Sequence, residues 1–220
     1  MRSVVITGTS TGIGRASALL LDAAGWRVFA GVRREQDAQV LRQVASDRLV
    51  PLRLDITSQE QISAAAQEIA ETVGSSGLDG LVNNAGVVML GPVETLPLED
   101  FRWQIEVNLI GQVAVAKELL PLLRQAKGRV VFVSSVGGRV SYPFGSAYHA
   151  SKHGLEVVAD CLRQEVRQWG IGVSVIEPGA IDTPIWERGT ENAERLAAQA
   201  PGEHARLYAN TLDRMMGVGK

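Results

Sequence analysis

A tyrosine and a lysine four residues apart, Tyr148 and Lys152, are the side chains in this sequence best placed to move a proton. In a helix, a spacing of four puts both side chains on one face. A phenol is a poor base at neutral pH because its pKa is about 10, and a nearby ammonium favours the phenolate. Tyr148 would then be a usable acid and base. Taken alone, such a pair is more often a surface or packing feature.

A serine pair follows a strand-like run, Arg129–Val133, and supplies a second polar group. Parallel strands bring their carboxyl ends to one edge of a sheet, where ligands bind. A hydroxyl there, Ser135, could orient and polarise a substrate oxygen atom. The alternative is an ordinary residue at the end of a strand.

A glycine-rich turn, TGTSTGIG at 7–14, lies between a short apolar run and a helical pattern. In that position the free N–H groups and the positive end of the helix dipole point at a phosphate. Gly8 permits the turn, Gly12 lets the backbone approach a pyrophosphate, and Gly14 lets helix and strand pack closely. The strand-turn-helix context favours dinucleotide binding over a plain loop with incidental glycines.

Two arginines stand where a ribose-binding acid is expected, about 20 residues beyond the turn. The second strand-like run ends at Val32 and continues with Arg33 and Arg34. Guanidinium groups pair bidentately with a 2′-phosphate, which favours NADP(H) over NAD(H). Alternatively, both arginines simply begin a solvated helix.

Six apolar, β-branched runs alternate with helical patterns. The strand runs are 4–6, 26–32, 49–54, 78–82, 129–133 and 171–176, and the helical patterns are 13–24, 35–45, 58–73, 101–124 and 148–169. Runs that are apolar on both faces are typical of parallel strands covered by helices on both sides. This pattern predicts an α/β fold with a doubly wound parallel sheet of six strands. Thr57 and Glu60 predict a capping box before the third helix.

Composition limits the class of protein. The chain has 220 residues, 45% hydrophobic, and a net charge of −2, which fits a single domain over 1–220 and excludes a strongly basic nucleic-acid binder. No run has the 18 apolar residues of a membrane span, and the one cysteine, Cys161, cannot form an internal disulfide. With no leader-like N-terminus, we expect a cytoplasmic protein. His149 and His153 are interpreted as helix-face residues, since a metal site needs more donors.

Together these motifs resemble the single-domain branch of the short-chain dehydrogenase/reductase family. The matching segments are TGTSTGIG at 7–14, Asp55, NNAG at 83–86, Asn108, Ser135, Tyr148 with Lys152, and 178–183, in the family's order. The resemblance implies a Rossmann-type sheet with the strand order 3-2-1-4-5-6. It also implies NADP(H)-dependent interconversion of a carbonyl and an alcohol. The hydride chemistry would belong to the nicotinamide.

The resemblance also implies roles for individual residues. Tyr148 would be the acid and base, Lys152 would lower its pKa and bind the nicotinamide ribose, Ser135 rather than Ser134 would polarise the substrate oxygen, and Asn108 would hold a water molecule. The implied cofactor contacts are Gly8, Ser10, Thr11, Gly12, Ile13, Gly14, Arg33, Arg34, Asp55, Ile56, Asn84, Ala85, Gly86, Tyr148, Lys152, Pro178, Gly179, Ile181 and Thr183.

Substrate contacts are expected from loops that resemble those of steroid- and retinoid-type members. Ser135 is joined there by Met89, Tyr142, Phe144 and Trp186, a mostly apolar set that favours a small hydrophobic ketone, aldehyde or alcohol. The same apolar residues could instead complete the core. The 180–220 tail is expected to be loop and helix covering the substrate.

The same resemblance gives expectations for the oligomeric state, and two other functions remain as alternatives. Family members usually pair through the helices that here contain Asn108 and Tyr148, so a homodimer is expected and a tetramer is possible. They normally carry a seventh strand beyond the tail, whereas this sequence has six strand runs. One alternative is a non-catalytic nucleotide-binding regulator. The other, a sugar-nucleotide epimerase or dehydratase, needs a substrate domain for which this chain lacks room.

Overall fold

The computed structural model describes residues 1–199, 202, 206–208 and 211. The strands are β1 (Ser3–Ile6), β2 (Arg27–Val32), β3 (Leu49–Arg53), β4 (Gly80–Asn83), β5 (Arg129–Val133) and β6 (Gly172–Ile176). The helices are α1 (Gly12–Ala23), α2 (Glu35–Val44), α3 (Gln59–Val73), α4 (Leu98–Ile105), α5 (Gly111–Ala126), α6 (Ser146–Glu165) and α7 (Pro184–Gln199).

The six strands form one parallel sheet in the order β3-β2-β1-β4-β5-β6. In the centre, Val5 of β1 is paired with Phe29 of β2 on one side and with Leu81 of β4 on the other. The chain reverses direction across the sheet after β3, so that a crevice opens between the ends of β1 and β4. The predicted Rossmann-type fold is confirmed.

Apolar side chains of the strands alternate between two cores. Val5, Phe29 and Phe132 face a large cluster that takes in Ile69 of α3 and Leu155 of α6. On the opposite face, residues such as Val4, Val28 and Ala30 pack against Ala18 of α1 and Leu41 of α2. Strands covered by helices in this way lose no face to water, which explains why their sequences are continuously apolar.

The single helix predicted over 101–124 is instead built in three parts. α4 leads through a π-helical turn, Glu106–Ile110, into α5. The π turn places one more residue in the turn than an α-helix does, and such turns are frequent at functional sites. Hydrophobic period alone cannot detect it, because the apolar pattern continues through all three parts.

The cap of α3 differs from the predicted capping box. The N-cap is Ser58, whose Oγ accepts a hydrogen bond from the N–H of Gln61. Thr57 Oγ1 instead donates to Asp55 Oδ1, at 2.7 Å. Because Asp55 draws Thr57 into its own turn, the helix begins one residue later than the sequence predicts.

The last helix predicted from the sequence, 148–169, ends earlier in the structure. α6 ends at Glu165, and Trp169 is the exposed last residue of a separate 3-10 turn. Cys161 of α6 is exposed, whereas His149 is buried. None of the described helices has the length and hydropathy needed to cross a membrane.

The described part of the tail is a loop up to residue 183, followed by a helix. That helix, α7, begins at Pro184. The part of the prediction that concerns 200–220 lies outside the described residues, apart from 202, 206–208 and 211.

Candidate active site

A cavity of about 420 Å³ lies along the carboxyl edge of the sheet, across the crevice between β1 and β4. It brings together groups from both ends of the chain. Its lining contains Gly8, Ser10, Thr11, Gly12, Ile13, Arg33, Arg34, Asp55, Ile56, Asn84, Ala85, Gly86, Ser135, Tyr148, Lys152, Pro178, Gly179, Ile181, Thr183 and Trp186.

Two glycines of the turn, Gly8 and Gly14, have no room for a side chain. Gly8 adopts φ +70°, and a Cβ added there would lie 2.8 Å from Ala85 Cα. A Cβ at Gly14 would lie 2.3 Å from the carbonyl oxygen of Gly8 and 2.4 Å from Asn84 Nδ2. Gly14 therefore lies behind the cavity, where it lets α1 pack against the turn.

The N-terminus of α1 leaves backbone donors free for an anion. Its N-cap, Thr11, makes no side-chain capping bond, and the first turn contains no acidic residue. The first N–H groups of a helix need partners from outside the helix. With glycine backbone beside them, these donors match a pyrophosphate, so the residues present fit a dinucleotide.

Asn84 fixes the other side of the turn. Its Nδ2 donates to the carbonyl oxygens of Thr7 and Gly8, at 2.9 and 3.1 Å. Thr7 Oγ1 accepts in return from the N–H groups of Asn84 and Ala85. These bonds join the ends of β1 and β4 and hold the crevice open.

The two arginines after β2 have different partners. Arg34 forms a salt bridge with Asp37 of α2, at 3.0 Å. Arg33 is exposed and lines the same cavity, and it has no salt bridge with any described residue. Of these two arginines, therefore, only Arg33 has a charge that is not paired with a described acidic residue.

The proton-transfer candidates lie on the buried face of α6 and at the end of β5. Tyr148, Lys152 and Ser135 are all less than 10% exposed. Lys152 Nζ donates to the carbonyl oxygen of Val133, at 2.8 Å, and lies 5.9 Å from the centre of the Tyr148 ring. Ser135 Oγ accepts from the N–H of Gly137, at 3.0 Å, and its hydroxyl can still donate one hydrogen bond.

Burial has the largest effect on the pKa values of Tyr148 and Lys152. It raises the pKa of Tyr148, and the nearby Ser135 hydroxyl lowers it by less. Burial also lowers the pKa of Lys152 to about 8, although Glu156, one turn further along α6, raises it. The pKa of Tyr148 is therefore raised rather than lowered in this structure, because a buried phenolate is poorly solvated.

Asn108 lies behind the cavity, in the π-helical turn. Its side chain bonds both backbone groups of Val87, with Oδ1 accepting from N–H at 2.8 Å and Nδ2 donating to the carbonyl at 2.9 Å. Gln104 and Gln112, four residues to each side, bond the same loop at Met89 and Ala85. Three amide side chains thus hold the loop that follows β4.

The predicted substrate residues divide into two groups. Ser135 and Trp186 line the main cavity, whereas Met89, Tyr142 and Phe144 do not. Met89 is buried against Gln104, and the other two line a second, shallower cavity together with His149 and His153. The turn from 141 to 145 carries both rings outward, and Phe144 adopts φ +67° there.

Several residues that shape the site were not predicted as site residues. Thr7, Gln104 and Asp37 act through hydrogen bonds or charge rather than through a recognised motif. Asp37 had a detectable signal, since an acid three residues after Arg34 in a helix would be expected to pair with it. The buried amides had none, because only the fold places them against the loop.

Comparison with known proteins gives a consistent result. The family described as short chain dehydrogenase matches residues 2–194. The chain is 42% identical to 17-beta-hydroxysteroid dehydrogenase type 6 of Bos taurus over 93% of its own length and 65% of that protein. It is 44% identical to retinol dehydrogenase 7 of Mus musculus, over 96% of its length and 67% of that protein. The chain thus spans about two thirds of these relatives.

Two solved structures share the fold. A short-chain dehydrogenase from Streptomyces avermitilis has a TM-score of 0.78 and 36% identity, covering 83% of this chain and 67% of that one. An alcohol dehydrogenase from the archaeon Thermococcus sibiricus, complexed with 5-hydroxy-NADP, has a TM-score of 0.77 and 28% identity, covering 86% and 80%. With the family match over most of its length and this sheet order, the chain belongs to the short-chain dehydrogenase family.

Proposed function

We propose that this protein is an NADP(H)-dependent oxidoreductase that interconverts an alcohol and a carbonyl group on a small hydrophobic substrate. The observation that carries the proposal is the meeting of Tyr148, Lys152 and Ser135 with the glycine turn in one cavity. A proton carrier, a hydroxyl donor and a dinucleotide cradle are the parts that such a reaction needs.

Each polar residue has a distinct task in the proposed reaction. The Ser135 hydroxyl donates a hydrogen bond to the substrate oxygen, stabilising the negative charge that develops there during reduction. The Tyr148 hydroxyl gives that oxygen its proton, and in oxidation the phenolate removes it. Lys152, held by the Val133 carbonyl, places a positive charge beside the phenolate when protonated. A bound nicotinamide supplies or accepts the hydride.

The preference for NADP(H) rests on Arg33. Its guanidinium stands at the end of β2 in the cavity lining, where the adenosine ribose of a dinucleotide bound in this fold would lie. Since Arg34 is paired with Asp37, one arginine rather than two would bind a 2′-phosphate. The alcohol dehydrogenase complexed with 5-hydroxy-NADP shows that a related fold accepts such a nucleotide.

The proposed substrate class rests on the apolar part of the cavity and on the relatives. Val87, Ile185 and Trp186 offer apolar surface beside Ser135 and Tyr148. The relatives are named for a hydroxysteroid and for retinol, two apolar alcohols. These observations favour an apolar primary or secondary alcohol, or the corresponding aldehyde or ketone.

Turnover on a substrate panel tests the proposal. Purified protein is incubated with hydroxysteroids, retinoids and simple alcohols, and with the matching carbonyl compounds, each with NADP(H) and with NAD(H), and NAD(P)H absorbance is followed. Tyr148→Phe should lower kcat by about 10²–10⁴-fold, the range typical of a lost general acid or base, and change NADPH binding far less.

The matched control is Tyr208→Phe, since Tyr208 bonds Glu94 outside the cavity. Unchanged turnover in Tyr148→Phe would exclude the mechanism. NADPH binding without turnover on any substrate would favour the non-catalytic regulator.

A homodimer is part of the proposal. Ile110, in the π-helical turn before α5, and Val157, in α6, are large exposed apolar side chains on the two elements expected to pair. A second copy would bury them. Light scattering at micromolar concentration should give twice the mass of the chain, and a monomer would contradict this part.

A further inference from the structure

The proposed reaction gives no role to His149, although both nitrogens of its ring contact main-chain groups. It follows Tyr148 in α6 and is only 3% exposed. Its Nδ1 lies 2.8 Å from the carbonyl oxygen of Gly137, and its Nε2 accepts from the N–H of Tyr142, at 3.3 Å. A carbonyl only accepts and an amide N–H only donates, so the ring is the neutral tautomer with its hydrogen on Nδ1.

The ring fills a slot made by the segment 137–145. A Cβ added at Gly137 would lie 2.9 Å from Nδ1, and one added at Gly145 would lie 2.6 Å from Nε2. The Tyr142 ring closes the slot edge-on, with ring centres 4.1 Å apart and planes at 87°. The imidazole is therefore held at both nitrogens and on one face by a single stretch of chain.

Both ends of this stretch reach the proton-transfer group. At one end, Gly137 accepts from His149 through its carbonyl and donates through its N–H to Ser135 Oγ. At the other end, Tyr142 is close enough for its phenol to raise the pKa of Tyr148. Moving the imidazole would thus change the surroundings of both Ser135 and Tyr148.

We infer that His149 is a positioning residue that holds the 137–145 segment, so that Ser135 is oriented for the substrate oxygen. The inference rests on the proposed function for its catalytic consequence. The two ring nitrogens have separable effects: the bond from Nδ1 supports the Ser135 side and hence kcat, and the bond to Nε2 holds Tyr142 at the far end of the segment, outside the main cavity.

Two substitutions separate these effects. His149→Asn keeps a donor near the Nδ1 position but cannot reach Tyr142, and His149→Phe keeps a ring but makes neither bond. We expect His149→Asn to leave kcat and KM nearly unchanged, and His149→Phe to lower kcat on the order of tenfold, the effect of one lost hydrogen bond. The matched control is His153→Phe, because His153 bonds only the carbonyl oxygen of His149, within its own helix.

Amide hydrogen exchange of the full-length protein tests the inference without turnover. Peptides covering 137–145 should exchange faster in His149→Phe than in wild type or in His153→Phe, and His149→Asn should show the increase mainly around Tyr142. If wild type turns over no substrate while this exchange pattern appears, the proposed function fails and the positioning role stands. Wild-type exchange and unchanged KM and kcat in both His149 variants would overturn the inference.

Discussion

The two halves of the cavity recognise their ligands with different groups. In the half of the cavity at the ends of β1–β3, the groups are mostly backbone. They are the N-terminus of α1, which has no side-chain cap, and the main chain around Gly8 and Gly14, which leave no space for a Cβ. At the ends of β4–β6 they are side chains. Tyr148 and Lys152 are both buried there, and Lys152 is fixed by a hydrogen bond to the main chain. The first half should therefore be sensitive to added atoms, and the second to lost or altered polar atoms.

The largest effect on stability and on NADPH binding is expected from adding one carbon atom in the half of the cavity at the ends of β1–β3. In Gly8→Ala the Cβ would lie 2.8 Å from Ala85 Cα at φ +70°, and the strain and overpacking should lower the free energy of unfolding by about 2–5 kcal/mol. NADPH binding should be lost with it. Urea unfolding and fluorescence titration measure the two effects.

Gly25→Ala is the control for this substitution. Gly25 also has positive φ, +82°, but an added Cβ meets nothing within 4 Å, so about 1 kcal/mol is expected from backbone strain alone. Equal losses in the two variants would mean that crowding at the glycine turn contributes nothing.

In the half of the cavity at the ends of β1–β3, Arg33 is the side chain expected to select the cofactor. Arg33→Ala should raise the Kd for NADPH by about 10–100-fold, the value of a charge-assisted hydrogen bond, and leave the Kd for NADH unchanged. Arg34→Ala should have a smaller effect because Asp37 already pairs with Arg34. A larger effect at Arg34 would reverse the assignment.

The side-chain half should respond to pH through Lys152. The site needs the lysine cation, which is present below its pKa of about 8 and lost as pH rises through it. Glu156 raises that pKa, so Glu156→Gln should move the alkaline decline of kcat/KM to lower pH. Glu165→Gln, an exposed change at the end of the same helix, should leave the profile unchanged.

The smallest effect is expected on the unfolding free energy when the N-caps of α3 and α1 are each replaced. Ser58 caps α3 with its own side chain, whereas Thr11 makes no such bond at α1. Ser58→Ala should therefore cost about 1 kcal/mol of unfolding free energy, and Thr11→Ala should cost much less. Chemical denaturation of both variants without nucleotide measures the difference, and equal costs would show that the N-terminus of α1 is capped by Thr11 after all.

The sequence predicts the sheet well because every strand is a continuous apolar run. Arg129–Val133 is found as predicted, and the other strands differ by one or two residues at their ends. The glycine turn and the pair at Tyr148 and Lys152 are visible for a related reason, since their chemistry depends on short spacing. Local patterns predict local features.

What the sequence does not predict depends on contacts between distant segments. The hydrogen bond from Thr57 to Asp55 places the start of α3 one residue later than predicted. Burial lowers the pKa of Lys152, which the spacing of residues alone could not indicate. His149, read as a helix-face residue, is buried because a loop folds over it. Tyr142 and Phe144 lie outside the main cavity for the same reason, since that loop carries them outward.

The π-helical turn at Glu106–Ile110 has a consequence for how related sequences can vary. A step of four residues along an α-helix turns a side chain by about 40°, so three amides at 104, 108 and 112 would drift apart around a regular helix, and the wider turn offsets part of that drift. Deleting one residue there would rotate all of α5 by about 100° and turn its apolar side away from the sheet. Alignments of close homologues should therefore run through this helix without a gap, even where the flanking loops differ in length.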